Sequence, residues 1–272
     1  QHNQAKEYNQ NITKVNVQAR HANTSLKHSS DNGFHVDLHK DGKLEERLNH
    51  TLIAYQEEDT FYVNVLPIFP YKTHGDYELT VQVPENLNSI ILNSSSGDII
   101  ASNILINMID IQVASGDINL HTLKTQSLNL EVASSDIHIY KLTGDLLIKS
   151  ASGDVQIEQS SGKNLSYNNA SGDLILNGHY SIINLNNVSG DIQAEFKTIE
   201  KMNINTTSGD INVYIKNKDN LSIQTHSLSG DCDVYLDGKE VITQANQKFE
   251  IGQANTHIKL NTVSGDIHLD MA

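Results

Sequence analysis

The sequence predicts an all-β fold, a single-domain β-solenoid of β-helix-like form, on three observations. A Ser-Gly-Asp tripeptide recurs at a near-constant step, apolar residues fall at every second position on both sides of it, and a small or β-branched residue stands before most copies. The copies begin at Ser96, Ser115, Ser134 (where Ser135 replaces Gly), Ser152, Ser171, Ser189, Ser208, Ser229 and Ser264. Their steps are 19, 19, 18, 19, 18, 19, 21 and 35 residues, a regularity that marks a repeat architecture.

The first 88 residues read as irregular β coils that cap the regular part. Strand-like stretches run over Ile12 to Ala19, Phe34 to Leu38 and Phe61 to Leu66, separated by turn signals at Asp31-Asn32-Gly33 and Asp41-Gly42. Tyr77 to Pro84 then alternates polar and apolar residues and leads into the first regular coil. Residues 89–272 hold the 18 to 19 residue repeats. Before the Ser come pairs such as Ile109 and Ile111 or Leu128 and Leu130; after it come Ile118 and Leu120 or Val155 and Ile157. Period two on both sides means strand, corner, strand. No single copy can bury its apolar face alone, so neighbouring copies must stack, with a right-handed coil as the default. Ala114, Ala133, Ala151, Ala170, Val188 and Val263, directly before the Ser, are expected to fill the inside of the corner.

The 35-residue step predicts an insertion near 232–256, either a hairpin at Asp237-Gly238 or one degenerate coil. The closing Leu269 to Ala272 is too short for a robust cap, which leaves self-association through an open end as an expectation. With these parts, residues 1–272 are expected to form one domain.

Composition narrows function. A net charge of −14 and a pI near 5.2 leave no basic surface for phosphates, so nucleic acid is excluded as a partner, and acidic lipid is a poor one. No run of 18 apolar residues and no signal-like segment occurs, so any membrane anchor is expected outside this chain. The single Cys232 cannot form an internal disulfide and reads as a small buried residue beside a strand.

The corner motif admits two readings. Gly supplies a positive φ, and the Asp and Ser side chains can accept backbone N–H groups, so the motif can be wholly structural. In-register stacking would also align Asp98, Asp117, Asp136, Asp154, Asp173, Asp191 and Asp210 along one edge, where like charges repel unless hydrogen-bonded or bridged by a cation. Calcium is the natural bridging ion and these seven are the candidate ligands. The nonapeptide Gly-Gly-x-Gly-x-Asp of calcium-binding rolls is missing, and only Thr143-Gly144-Asp145 sits half a period from another copy. His35, Asp37 and His39 would share one strand face, a second and weaker metal hint.

Catalytic signatures are lacking: no HExxH, P-loop, dinucleotide fingerprint or Gly-x-Ser-x-Gly is present. No cofactor and no catalytic residue is therefore expected. A polysaccharide lyase would want basic residues beside its acids, yet the only arginines, Arg20 and Arg47, stand outside the regular coils. The chain has no Trp to form a sugar platform.

The Ser-Gly-Asp-Ile copies, the lead-in Glu78-Leu79-Thr80-Val81-Gln82-Val83-Pro84 and the closing Asn261-Thr262-Val263-Ser264-Gly265-Asp266-Ile267 together resemble the bacterial putative-adhesin family, a domain of unknown function. That resemblance implies a β-helix-like fold and placement on the extracellular face of the bacterial cell envelope. It brings no established ligand. The expectation is a non-enzymatic adhesin or interaction scaffold that meets an envelope, cell-wall, glycan or protein partner. The competing expectation is a carbohydrate-active β-helix enzyme, a lyase or glycosidase.

Overall fold

The computed structural model describes residues 11–40, 43–44, 52–66 and 77–272. The Asp41-Gly42 turn and Arg47 lie outside the described residues. Every regular element is a strand, 23 among the described residues, and they gather into two compact units, Gln1–Asp136 and Ile137–Ala272. Each unit is a β-solenoid stack with two sheets, face A from the strands before the Ser-Gly-Asp corner and face B from those after it.

The first unit contains β1 (Lys14–Arg20), β2 (Asn23–His28), β3 (His35–Lys40), β4 (Lys43–Leu44), β5 (Leu52–Glu57), β6 (Thr60–Val65), β7 (Tyr77–Val83), β8 (Ser89–Ser96), β9 (Ile99–Leu105), β10 (Met108–Ser115) and β11 (Ile118–Ser134). Face A runs β5-β6-β1-β8-β10 and ends on the second half of β11, all parallel except β5 against β6. Face B runs β4-β3-β7-β2-β9 and ends on the first half of β11, parallel except that β3 is antiparallel to both neighbours. Chain order and stacking order differ: the coil of β6 and β7 lies outside the coil of β1 and β2. The antiparallel β5 and β3 cover the edges it would otherwise expose.

The second unit contains β12 (Ile137–Ser152), β13 (Val155–Ser171), β14 (Leu174–Ser189), β15 (Ile192–Phe196), β16 (Lys201–Ser208), β17 (Ile211–Ile215), β18 (Leu221–Ser229), β19 (Cys232–Leu236), β20 (Lys239–Ile242), β21 (Asn246–Ile251), β22 (Thr256–Ser264) and β23 (Ile267–Met271). The long strands β12, β13 and β14 carry on round the second corner and so serve both faces. Here too the chain leaps. β22 pairs with β16 on one side and β18 on the other, while β23 lies between β17 and β19. β18 and β19 form the coil of the Ser229 copy, and the extra residues of the long step give β20 and β21, which add antiparallel to its two exposed edges, β19 and β20 meeting across Asp237-Gly238. Leu269 to Ala272 is not an end at all, because β23 sits inside the stack. This corrects the expectation of a weak C-terminal cap; parallel edges are ready templates for another chain, and the antiparallel strands occupy them.

The core follows from alternation. On face A, Leu146, Leu165, Ile183, Met202, Ile258 and Ile223 form one buried column across successive coils. Each such Ile or Leu contributes about 2 kcal/mol by leaving water. Sequence reasoning placed the residue before the Ser inside the corner, and this is wrong. Val188, Val263 and Leu228 are 55%, 48% and 77% exposed. The inward residue is one earlier, and in the second unit it is polar: Asn169, Asn187, Thr206, Ser227 and Thr262 are buried. The cause is the ladder, whose pairing skips the residue before Ser, as when Asn187 pairs with Thr206 and Ser189 with Ser208.

Candidate functional site

At the Ser-Gly-Asp edge, three successive N–H groups have three kinds of acceptor. Gly190 donates to the Ser208 carbonyl (3.0 Å), Asp191 to the Asp173 carboxylate (2.8 Å) and Ile192 to the Asp210 carbonyl (2.9 Å). The buried polar residue behind the corner secures the glycine carbonyl, with Asn187 Nδ2 donating to Gly172 O (2.9 Å) and Ser227 Oγ to Gly265 O (3.0 Å). At Gly190 glycine is required for two reasons. Gly190 has φ +129°, and a Cβ there would land on the Gly172 carbonyl of the neighbouring coil. Ser135, which replaces glycine in the third copy, is not among the residues with positive φ, and its buried hydroxyl has no hydrogen-bond partner.

The candidate calcium ligands stack along the corner, and Asp98, Asp117, Asp154, Asp173, Asp191 and Asp210 each give one carboxylate oxygen to a backbone N–H of the next coil. In the first unit Asp98 accepts from the Asp117 N–H (2.9 Å) and Asp117 from the Asp136 N–H (3.3 Å). In the second, Asp154 accepts from Asp173, Asp173 from Asp191, and Asp191 from Asp210, at 2.9, 2.8 and 2.8 Å. The ladder continues where the chain leaps, through Asp266 and then Asp231, both at 2.8 Å. Among the described residues no group of three or more His, Cys, Asp or Glu side chains is placed to hold a metal ion. His35 is taken by Asp31: its Nε2 lies 2.7 Å from the carboxylate. That contact, with the Gly33 N–H, holds the Asp31 carboxyl below its usual range. Cys232 is buried, its thiol directed at the Ala245 carbonyl, and burial pushes the thiol up.

Asp145 marks the half-period corner. Burial raises its carboxyl, but the Asn164 side chain, the Asn164 and Lys163 N–H groups and the Lys163 charge outweigh this and lower it. Gly162 stacks on Gly144 in the next coil, whereas a separate bend a few residues earlier uses no glycine. Asn103, Thr122, Lys141 and Gln159 take φ between 50° and 58° there, a device invisible to a search for Gly signals.

The two outer faces of the second unit differ in chemistry. On face A, Asn168, Asn186, Asn205 and Asn261 form an amide ladder with side-chain bonds of 3.1, 3.0 and 2.8 Å. On face B two rows run across seven strands, the second in register throughout and the first broken by a bulge between Glu158 and Asn177. One reads Tyr140, Glu158, Asn177, Glu195, Tyr214, Asp270, Tyr235; the other reads His138, Gln156, Ile175, Gln193, Asn212, His268, Asp233. Both point outward because the alternate residues are core. A shallow depression of about 410 Å³ opens over this face, lined by Glu158, Gln193, Glu195, Tyr214, His268 and Asp270 among others. Glu158 is held by His138 (2.8 Å) and Gln156 (3.1 Å), and the Tyr235 and His268 rings meet at 5.7 Å. Negative potential is felt here: Glu240, some burial and Asp233 push the Tyr235 hydroxyl up. Sequence reasoning missed this face, because its residues are 18 to 56 apart and are aligned by stacking alone.

The Toastrack DUF4097 family profile matches residues 12–270, nearly the whole chain. The chain belongs to the Toastrack DUF4097 family. Among solved structures, a putative lipid binding protein from Parabacteroides distasonis is similar over 95% of this chain and 92% of its own, with 17% identity and a TM-score of 0.58. A putative adhesin from the same organism is similar over the same shares, with 10% identity and a TM-score of 0.57. A putative adhesin from Bacteroides fragilis covers 96% and 92% with 12% identity and a TM-score of 0.48. For the two Parabacteroides distasonis proteins the likeness shows a common fold. No curated protein matches the chain.

Proposed function

We propose that this Toastrack chain is a non-enzymatic cell-envelope protein, an adhesin or interaction scaffold that holds an extended partner on face B of residues 137–272. The observation that carries the reading is the pair of outward rows on one sheet face, one of them in register across all seven strands. Seven strands about 4.8 Å apart present aromatic, amide and carboxylate groups at a fixed repeat, which suits a long ligand that repeats itself. Adhesin descriptions attached to proteins of the same fold support an extracellular setting.

A glycosidase is the second reading, and one feature favours it. Glu158 and Glu195 stand two strand steps apart, about 10 Å, near the separation of an inverting pair. The depression is nonetheless shallow, and among the described residues nothing covers it to exclude water from a reacting bond. The test is binding to bacterial envelope fractions alongside a reducing-end assay on the same polysaccharides. Retention without new reducing ends supports the scaffold; turnover abolished by Glu195→Gln overturns it in favour of the enzyme.

A further inference from the structure

We infer that face B of the second unit is a binding site for an amine-bearing polysaccharide laid across the strands. The inference rests on the reading of this face as the binding surface and names its ligand class.

Charge comes first. The two rows carry Glu158, Glu195, Asp233 and Asp270 and no Lys or Arg. Glu195 and Asp270 have no hydrogen bond or ion pair among the described residues, so two carboxylates stand ready in the depression. An anionic glycan would be repelled, and a ligand with spaced ammonium groups would find acceptors at matching intervals. Acidic residues alone would say little. The second observation is the tyrosines: Tyr214 lies directly between Glu195 and Asp270, and Tyr235 on the far side of Asp270. A tyrosine ring accepts both the C–H face of a pyranose and a nearby ammonium. The third is the amides. Asn177, Gln193 and Asn212 each offer a donor and an acceptor, which match sugar hydroxyls.

A lysine-rich peptide shares the charge but not the rest. Peptides dock by adding to a sheet edge or by inserting apolar anchors into a groove, whereas this is the middle of a sheet, seven strands wide and predominantly polar. The opposite face A bears Lys149, Lys201 and Lys259 and its amide ladder is already self-paired, which makes it the internal control.

The test is isothermal titration of the full chain with four probes: a glucosamine hexamer, an N-acetylglucosamine hexamer, an oligogalacturonate and hexalysine. The expected result is binding of the glucosamine hexamer, at least tenfold weaker binding of its N-acetylated form, and none of oligogalacturonate. Glu195→Gln and Tyr214→Ala should each weaken glucosamine binding at least tenfold with an unchanged melting temperature, while Lys259→Gln leaves it unaltered. Hexalysine binding as tightly as the sugar, or Tyr214→Ala without effect, overturns the inference. Envelope retention separates the two readings. If Tyr214→Ala and Glu195→Gln abolish retention while glucosamine fails to bind, the ligand class is wrong and the surface stands. If retention survives both variants, the surface itself is wrong.

Discussion

Replacing Gly190 by alanine tests the corner geometry most directly. The residue sits at φ +129°, a region that only glycine occupies freely, so a side chain there costs about 1–3 kcal/mol. The new Cβ would press on the Gly172 carbonyl, which cannot yield cheaply because Asn187 Nδ2 holds it at 2.9 Å. Moving either coil also stretches the Gly190 to Ser208 and Asp191 to Asp173 bonds, each contributing about 1 kcal/mol. Against this, alanine reduces the freedom of the unfolded chain, a gain of at most about 1 kcal/mol. The net is a loss of about 2–5 kcal/mol, a large share of a typical stability of about 5–15 kcal/mol. Urea unfolding followed by circular dichroism reads it, with Val188→Ala as the control: that side chain is 55% exposed and its loss should stay within about 0.5 kcal/mol. A Gly190→Ala loss below about 1 kcal/mol would refute the view that glycine is required by the approach of neighbouring coils.

Four further outcomes are expected. Ser135→Ala removes a buried hydroxyl without a partner and should raise stability by about 1 kcal/mol in the same urea experiment. Thr122→Gly should also stabilise, because a β-branched residue at φ 58° is strained; a lower unfolding midpoint would contradict this. Asp110 is raised by burial and by Glu131, against a bond from Gln112. Its folded form holds a proton more tightly than its unfolded form, so it lowers stability as pH rises from the unfolded pKa through the raised folded one. Asp110→Asn should then raise the melting temperature at pH 7 and lose that advantage in acid. Tyr167 is pushed up to about 12 by burial, against a bond from Asn169 and with Asp154 and Asp173 adding to the rise. Its stabilising effect should disappear as pH climbs from about 10 to about 12, and Tyr167→Phe should flatten that part of a melting-temperature profile.

How much of this was legible in the sequence depends on what each feature is made of. The coils were, because alternation and the Ser-Gly-Asp step are written locally. The inward residue was misplaced by one, since Ala114 or Val188 looks like core material and Asn187 does not. Only the bulged pairing explains why a buried polar side chain such as Asn187 or Ser227 suits that place: it donates to the corner glycine carbonyl of the neighbouring coil. The bend at Thr122, Lys141 and Gln159 passed unseen because these residues reach a left-handed conformation with no glycine to announce it. Face B passed unseen for another reason: Glu195, Tyr214 and Asp270 become neighbours only once the stacking order is known, and the last of them arrives after the chain has leapt a coil.

That leap links fold to function. A solenoid wound strictly in chain order ends on two bare parallel edges, each able to recruit a further chain. In the second unit the chain instead lays β18 and β19 one coil further out, folds β20 and β21 back across both edges, and only then fills the gap with β22 and β23. Gap filling puts Asp270 between Tyr214 and Tyr235 on face B. The strand that closes the gap thus supplies a carboxylate to the face on which a ligand would lie, and the same step leaves the outer edges covered. An interaction module gains from both. Its broad polar face stays open to a partner, while the edges that would pair with another copy are taken.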